Sequence, residues 1–257
     1  MKQIEFKTEE EFLNNTYFYD KGQEAQLYRY VIDGRELLIK KYYNQNDLNL
    51  EKIELVSALK TDGLIKPEYL VKIGNNVESF AMEFKRGCYP LSRMKSELST
   101  TQKYLLLLRL KEIIFELLEE NCYYDDLHPN NIITNGKNIY LCDPINIKLK
   151  NYDFIKNNST INYTEIEKLK KSNLLYRLNL ITIYILNDIN MEEIETNVIN
   201  TLTNIFNKKN YKEIIGVTDS MDTLNASYDI FTSSEPCTKL LLDYIEFTKV
   251  EDIKRTK

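Results

Sequence analysis

The apolar pattern of this chain changes period near Gly87, and that change constrains the fold more than any other feature. Ahead of it lie short β-favouring runs separated by turn pairs. "QLYRYV", the turn "IDGR" and "ELLIKKYY" read as a hairpin closed at Asp33-Gly34. "YLVKIG" and "ESFAMEF" read as two more strands joined at Gly74-Asn75-Asn76. Between the two pairs, "DLNLEKIELVSALK" places Leu48, Leu55 and Leu59 near helical spacing and breaks at Asp62-Gly63. Beyond Gly87, "STTQKYLLLLRLKEIIFELLEEN" predicts a long helix with Ser99 or Thr100 as N-cap. Two short apolar segments, "NIIT" and "NIYLCD", flank the turn Asn135-Gly136, and from about residue 164 the pattern is mainly helical. Strands gathered first and helices afterwards indicate an α+β chain with two lobes, not alternating β/α units.

Composition narrows the functional classes. Lys and Arg total 34 against 39 Asp and Glu, a formal charge of −5, which argues against an overall basic face for nucleic acid. Cys88, Cys122, Cys142 and Cys237 lie far apart with no C-x-x-C pair, so reduced thiols and a cytoplasmic protein are expected. The apolar stretches "YLLLLRL" and "LNLITIYIL" fall well short of the ~20 residues a bilayer-spanning helix needs. "MKQIEFKTEEEF" has no apolar run of the kind a signal peptide carries, so no membrane partner is expected.

Several polar residues are placed where one chemistry would use them. Phosphoryl transfer from ATP needs cationic contact to the phosphates, a divalent metal held by oxygen ligands, and a carboxylate to orient the attacking hydroxyl. "DKGQEAQLY" offers a turn in which Gly22 can approach a phosphate, Ala25 is small and Leu27 can cap an adenine ring. In "LLIK", strand alternation puts Leu38, Lys40 and Tyr42 on one face, opposite Ile39 and Lys41. A lysine beside a buried leucine needs a partner charge, and Glu54 or, one helical turn earlier, Glu51 can supply it. "YYDDLHPNNIIT" holds Asp126 and Asn131 on a loop stiffened by Pro129, together with His128, the chain's only histidine. Asp143 ends the apolar run "IYLCD". Carboxylate and amide oxygens of this kind suit Mg²⁺.

In this order the segments resemble the protein-kinase-like superfamily, over about residues 20 to 147. "DKGQEAQLY" resembles a degenerate Gly-rich loop, and "LLIK" the strand that carries the phosphate-binding lysine. Glu54 resembles the helix-C glutamate. "FAMEF" resembles the strand into the hinge, with Met82 as gatekeeper and Glu83, Phe84 and Lys85 along the adenine. "YDDLHPNN" resembles the catalytic loop, and "CDPI" takes the place of D-F-G. The resemblance implies a bilobal fold, a small lobe over 1–82 with a sheet and one helix, and a larger, mainly helical lobe over 83–257. It implies ATP and Mg²⁺ between them, Lys40 on the phosphates, Asp126 as base, and Asn131 and Asp143 as metal ligands.

The departures bear on substrate and control. Asp20 and Ala25 replace two loop glycines, Tyr124 and Asp125 replace the His-Arg of the catalytic loop, and Pro144-Ile145 replace Phe-Gly. No A-P-E motif follows, and Asn173 and Asn179 are the nearest polar residues to the usual helix-F aspartate. D-L-H-P-x-N resembles the loop of aminoglycoside and choline phosphotransferases and of atypical bacterial kinases. There His128 either touches the transferred phosphoryl group when protonated, hydrogen-bonds Asp126, or serves packing alone. The acceptor is expected to be a Ser or Thr hydroxyl of a protein. A small-molecule hydroxyl is the alternative, and a nucleotide-binding pseudokinase scaffold is the non-catalytic one.

Overall fold

The computed structural model describes residues 1–149 together with Tyr152, Leu174, Arg177, Leu178, Leu180, Ile181, Thr182, Tyr184 and Ile185. The chain is a mixed α+β protein with a β-rich N-terminal sheet. It divides into two units, one of Met1–Cys88 with Tyr140–Ile147, the other of Tyr89–Ile139 and the chain from Lys148 on. The first break therefore follows Cys88 rather than Met82, and a later segment returns to the first unit. Its reason is hydrogen bonding: Ile65 N–H donates to the Leu141 carbonyl at 2.9 Å and Leu141 N–H to the Gly63 carbonyl at 2.8 Å.

The first unit runs β1 (Lys2–Phe6), α1 (Glu9–Asn15), β2 (Tyr17–Lys21), β3 (Ala25–Ile32), β4 (Arg35–Tyr42), α2 (Leu50–Ser57), β5 (Pro67–Ile73) and β6 (Asn76–Glu83). Its six strands lie in the order β1-β5-β6-β4-β3-β2. Only β1 joins parallel, to β5; the other pairs are antiparallel. The expected hairpin is β3–β4, and Asp33 (φ 51°) and Gly34 (φ 75°) supply the two left-handed residues its tight turn requires. The second expected pair is β5–β6.

Register sorts the sheet into two faces. Leu27 lies opposite Lys40, Leu38 opposite Met82, and Lys40 opposite Phe80, so these share one face. Tyr28, Leu37, Ile39, Tyr69, Val71 and Ala81 take the other, and form a core with Ile4, Phe6 and Phe12 from β1 and α1. Nothing in "MKQIEFKTEEEF" signalled β1 or α1. The helix is capped by Thr8, whose Oγ1 accepts from Glu11 N–H at 3.1 Å, and it carries Glu9, Glu10 and Glu11 at its positive end. Phe12 is fully buried, edge-on to Phe6 and Tyr28.

In the second unit β7 (Tyr89–Pro90) and the single turn α3 (Leu91–Met94) precede α4 (Thr100–Glu119). Ser99 caps α4 in a reciprocal arrangement with Gln102, and Tyr104, Leu107, Ile114 and Leu117 lie along its buried side. Asn121, at φ 57°, ends the helix. The chain then enters β8 (Cys122–Tyr124), the loop of residues 125–131, and β9 (Ile132–Thr134), which pairs antiparallel with β7. β10 (Ile139–Leu141) follows the turn at Asn135-Gly136. Among the described residues no helix is long and apolar enough to cross a membrane.

Candidate functional site

Lys40 sits on β4 with its side chain largely buried, and its Nζ donates to Asp143 Oδ1 at 2.6 Å, across 103 positions of sequence. The carboxylate beside Lys40 is thus Asp143. Glu54 is exposed, and so is Glu51. The phase of α2 explains the difference. Residues advance by about 100° along a helix, and α2 buries Lys52, Ile53 and Val56, which leaves Glu51 and Glu54 on the outer side. The Leu48, Leu55, Leu59 spacing is overridden as well: α2 starts only after the Asn49 cap, and Leu55 is 43% exposed.

Asp143 is held by its backbone. It adopts a left-handed conformation (φ 59°, ψ 65°), which Asp tolerates better than most residues, and Pro144 opens the 3-10 turn that follows. Asn146 N–H donates to the Asp143 carbonyl at 3.2 Å, and its Nδ2 reaches Asp143 Oδ2 at 3.3 Å. Oδ1 is committed to Lys40, whereas Oδ2 is held by this long bond. Next to it, burial and then the negative charge of Asp143 push the half-buried Cys142 thiol up to about 12, so it stays a thiol rather than a nucleophilic thiolate.

The remaining nucleotide-site candidates of the first unit fall into two groups. Leu27, Leu38 and Met82 share Lys40's face, as the alternation requires. The Gly22–Ala25 turn joins β2 to β3: Gly22 N–H donates to the Ala25 carbonyl at 2.8 Å, and Tyr43 N–H to the Glu24 carbonyl at 3.0 Å. The other group is engaged elsewhere. Phe84 N–H donates to the Glu36 carbonyl at 3.0 Å, and its ring lies between Tyr19, edge-on at 5.3 Å, and the Arg29 guanidinium at 4.8 Å. Lys85 pairs with Glu83 at 2.7 Å and lies over the Tyr140 ring. Those side chains line a cavity of about 320 Å³ with Lys60, Asp62 and Lys66, and neither Lys40 nor Asp143 contributes to it.

In the second unit the loop candidates do come together. Asn131 Nδ2 donates to Asp126 Oδ2 at 2.7 Å and to the Asp126 carbonyl at 3.0 Å. Its backbone N–H donates to the His128 carbonyl at 2.9 Å. His128 Nδ1 accepts from Asn130 N–H at 3.3 Å, so this imidazole braces the loop backbone instead of meeting Asp126. Ser92 adds an outer tie, its Oγ 2.6 Å from Asn130 Oδ1. Buried Tyr124 and Leu127 anchor the loop on either side of Asp125 and Asp126.

Each unit by itself offers a hard oxygen donor of the kind Mg²⁺ takes. With both amide hydrogens directed at Asp126, the Oδ1 of Asn131 is left as its acceptor, and Asp143 Oδ2 has little competition. Both are hard oxygen donors. Tyr42, two residues beyond Lys40 on the same face, was not singled out by sequence for any chemistry, yet its buried hydroxyl has no hydrogen-bond partner among the described residues. Alternation alone had placed it there. Asn173, Asn179 and Cys237 lie outside the described residues. A scan against protein-family models and a search of curated proteins returned no match to this chain.

Proposed function

We propose that this protein is an ATP- and Mg²⁺-dependent phosphotransferase of the protein-kinase-like superfamily, bilobal in fold, acting on a hydroxyl group. The observation that carries the reading is the Lys40–Asp143 pair. A largely buried ammonium and a backbone-fixed carboxylate meet at 2.6 Å although they are remote in sequence. Burying two charges is costly, and an apolar pair of similar volume would serve the fold at least as well. A site that must receive both phosphate and a metal has a use for one charge of each sign.

In this reading Lys40 donates to phosphate oxygens of the nucleotide, and Leu27, Leu38 and Met82 offer an apolar surface to its base. Asp143 and Asn131 would hold Mg²⁺, which when bound would neutralise charge on the transferring phosphoryl group. Asp126 accepts the proton of the attacking hydroxyl, and Asn131 Nδ2 keeps that carboxylate in place. His128 stiffens the loop through Asn130. The acceptor in this reading is a Ser or Thr hydroxyl of a protein.

The test is thermal stabilisation by ATP with and without Mg²⁺. Ligand at 100 times its Kd should stabilise the wild type by about 2.7 kcal/mol. The gain should depend on Mg²⁺ and vanish in Asp143→Asn, and Asp126→Asn should bind nucleotide but fail to transfer phosphate. A wild type that shows no Mg²⁺-dependent rise would refute the assignment.

A further inference from the structure

The phenol of Tyr42 belongs to the same face as Lys40 and, among the described residues, is a buried side chain left without a hydrogen-bond partner. Tyr42 is 4% exposed, lies opposite Ala25 in the register, and packs against Phe80 at 6.3 Å between ring centroids. Lys40 Nζ stands 5.3 Å from the centre of its ring. Its hydroxyl has no hydrogen-bond partner among the described residues. Buried hydroxyls are nearly always paired, because one stripped of water and left alone costs the fold stability. A phenylalanine would fill the same volume without that cost.

We propose that Tyr42 is a ligand-binding residue whose hydroxyl donates a hydrogen bond to an anionic oxygen of the ligand that Lys40 binds. The inference rests on the nucleotide reading above and adds a phosphate contact to it. Two further observations favour a donor role. Burial first, then the negative charges of Asp143, Glu24 and Asp47, hold the phenol above its ordinary titration range, so it keeps its proton. Asp143 is the largest of those charges in effect, which puts the hydroxyl in the field of the same carboxylate that pairs with Lys40. Among the described residues a second buried hydroxyl without a partner, Ser79 Oγ, makes an internal comparison: Ser79 lies opposite Lys41 and Val71, on the far face of the sheet.

Tyr42→Phe and Ser79→Ala should both leave the melting temperature of the ligand-free protein unchanged or raised, because each removes an unpaired group. Only Tyr42→Phe should weaken binding of Mg²⁺·ATP measured by calorimetry, by about tenfold or more, equivalent to about 1.4 kcal/mol per factor of ten. An unchanged affinity in Tyr42→Phe overturns the inference, whatever happens to the melting temperature. A fall in ligand-free melting temperature alone would show that the hydroxyl serves the fold through a bound water. Failure of the wild type to bind nucleotide would instead remove the functional reading itself, and this inference with it.

Discussion

The two faces of the six-stranded sheet carry neighbouring lysines with opposite surroundings. Lys41 points to the face closed by β1 and α1. Its Nζ lies 2.5 Å from both oxygens of Glu9, 3.4 Å from Glu78 and 5.0 Å from the centre of the Phe12 ring. The charged groups there are matched within the same layer, and Phe12, Leu37 and Ile39 beneath it are fully buried, although the Ser79 hydroxyl on this face also has no partner among the described residues. Lys40 points to the other face, where its partner arrives from a distant segment and a neighbouring phenol is left over. One face pairs its lysine with carboxylates of its own layer; the other pairs its lysine with a carboxylate brought in from a distant segment. Charge and burial, which both lysines share, do not separate structure from function. The origin of the partner carboxylate does.

The largest expected effect breaks the Lys41 face. Phe12→Ala should cost about 3–5 kcal/mol, measured by denaturant unfolding, since it empties the centre of the core between sheet and α1. Nucleotide-induced stabilisation of the folded protein should survive, because Phe12 touches the face away from Lys40. Loss of that response together with stability would mean that the two faces are not separable.

Exchanging one lysine at a time sharpens the contrast. Lys40→Met should lower stability by about 1–3 kcal/mol, by leaving the Asp143 carboxylate without its cation, and should abolish the response to Mg²⁺·ATP. Lys41→Met keeps the aliphatic stem against Phe12 and loses partly exposed ion pairs, so about 1 kcal/mol or less is expected, with the nucleotide response intact. Thermal shift with and without ligand reads both quantities in one experiment. Equal behaviour of the two variants would contradict the division between the faces.

What the amino-acid order disclosed follows the range of the interactions. The β3–β4 hairpin, the β5–β6 pair and α4 with its Ser99 cap are written in local patterns, namely alternation, a turn pair and a capping box. The Asp126–Asn131 contact is local too, and the loop that makes it stood out. β1 and α1 were hidden, because charged residues outnumber Ile4, Phe6 and Phe12 there and the parallel pairing with β5 joins distant segments. The Lys40–Asp143 pair was half legible. Both residues drew attention on chemical grounds, but their meeting depends on the return of residues 140–147 to the first unit. The assignment of Glu54 to Lys40 failed for a related reason, since α2 spans only Leu50–Ser57 and its phase is set by what it packs against.

That failure supplies the smallest expected effect and a pointed one. Glu54→Ala should change stability by no more than about 0.5 kcal/mol, since the side chain is exposed and alanine favours helix. It should also leave the affinity for Mg²⁺·ATP where it was, as read by the same thermal-shift titration. A helix that presents Ile53 and Val56 to the protein cannot offer Glu54 to Lys40 at the same time. If Glu54→Ala instead loses the nucleotide response as fully as Lys40→Met, then α2 must turn its outer side inward when nucleotide binds, and Lys40 must exchange Asp143 for Glu54 as its partner.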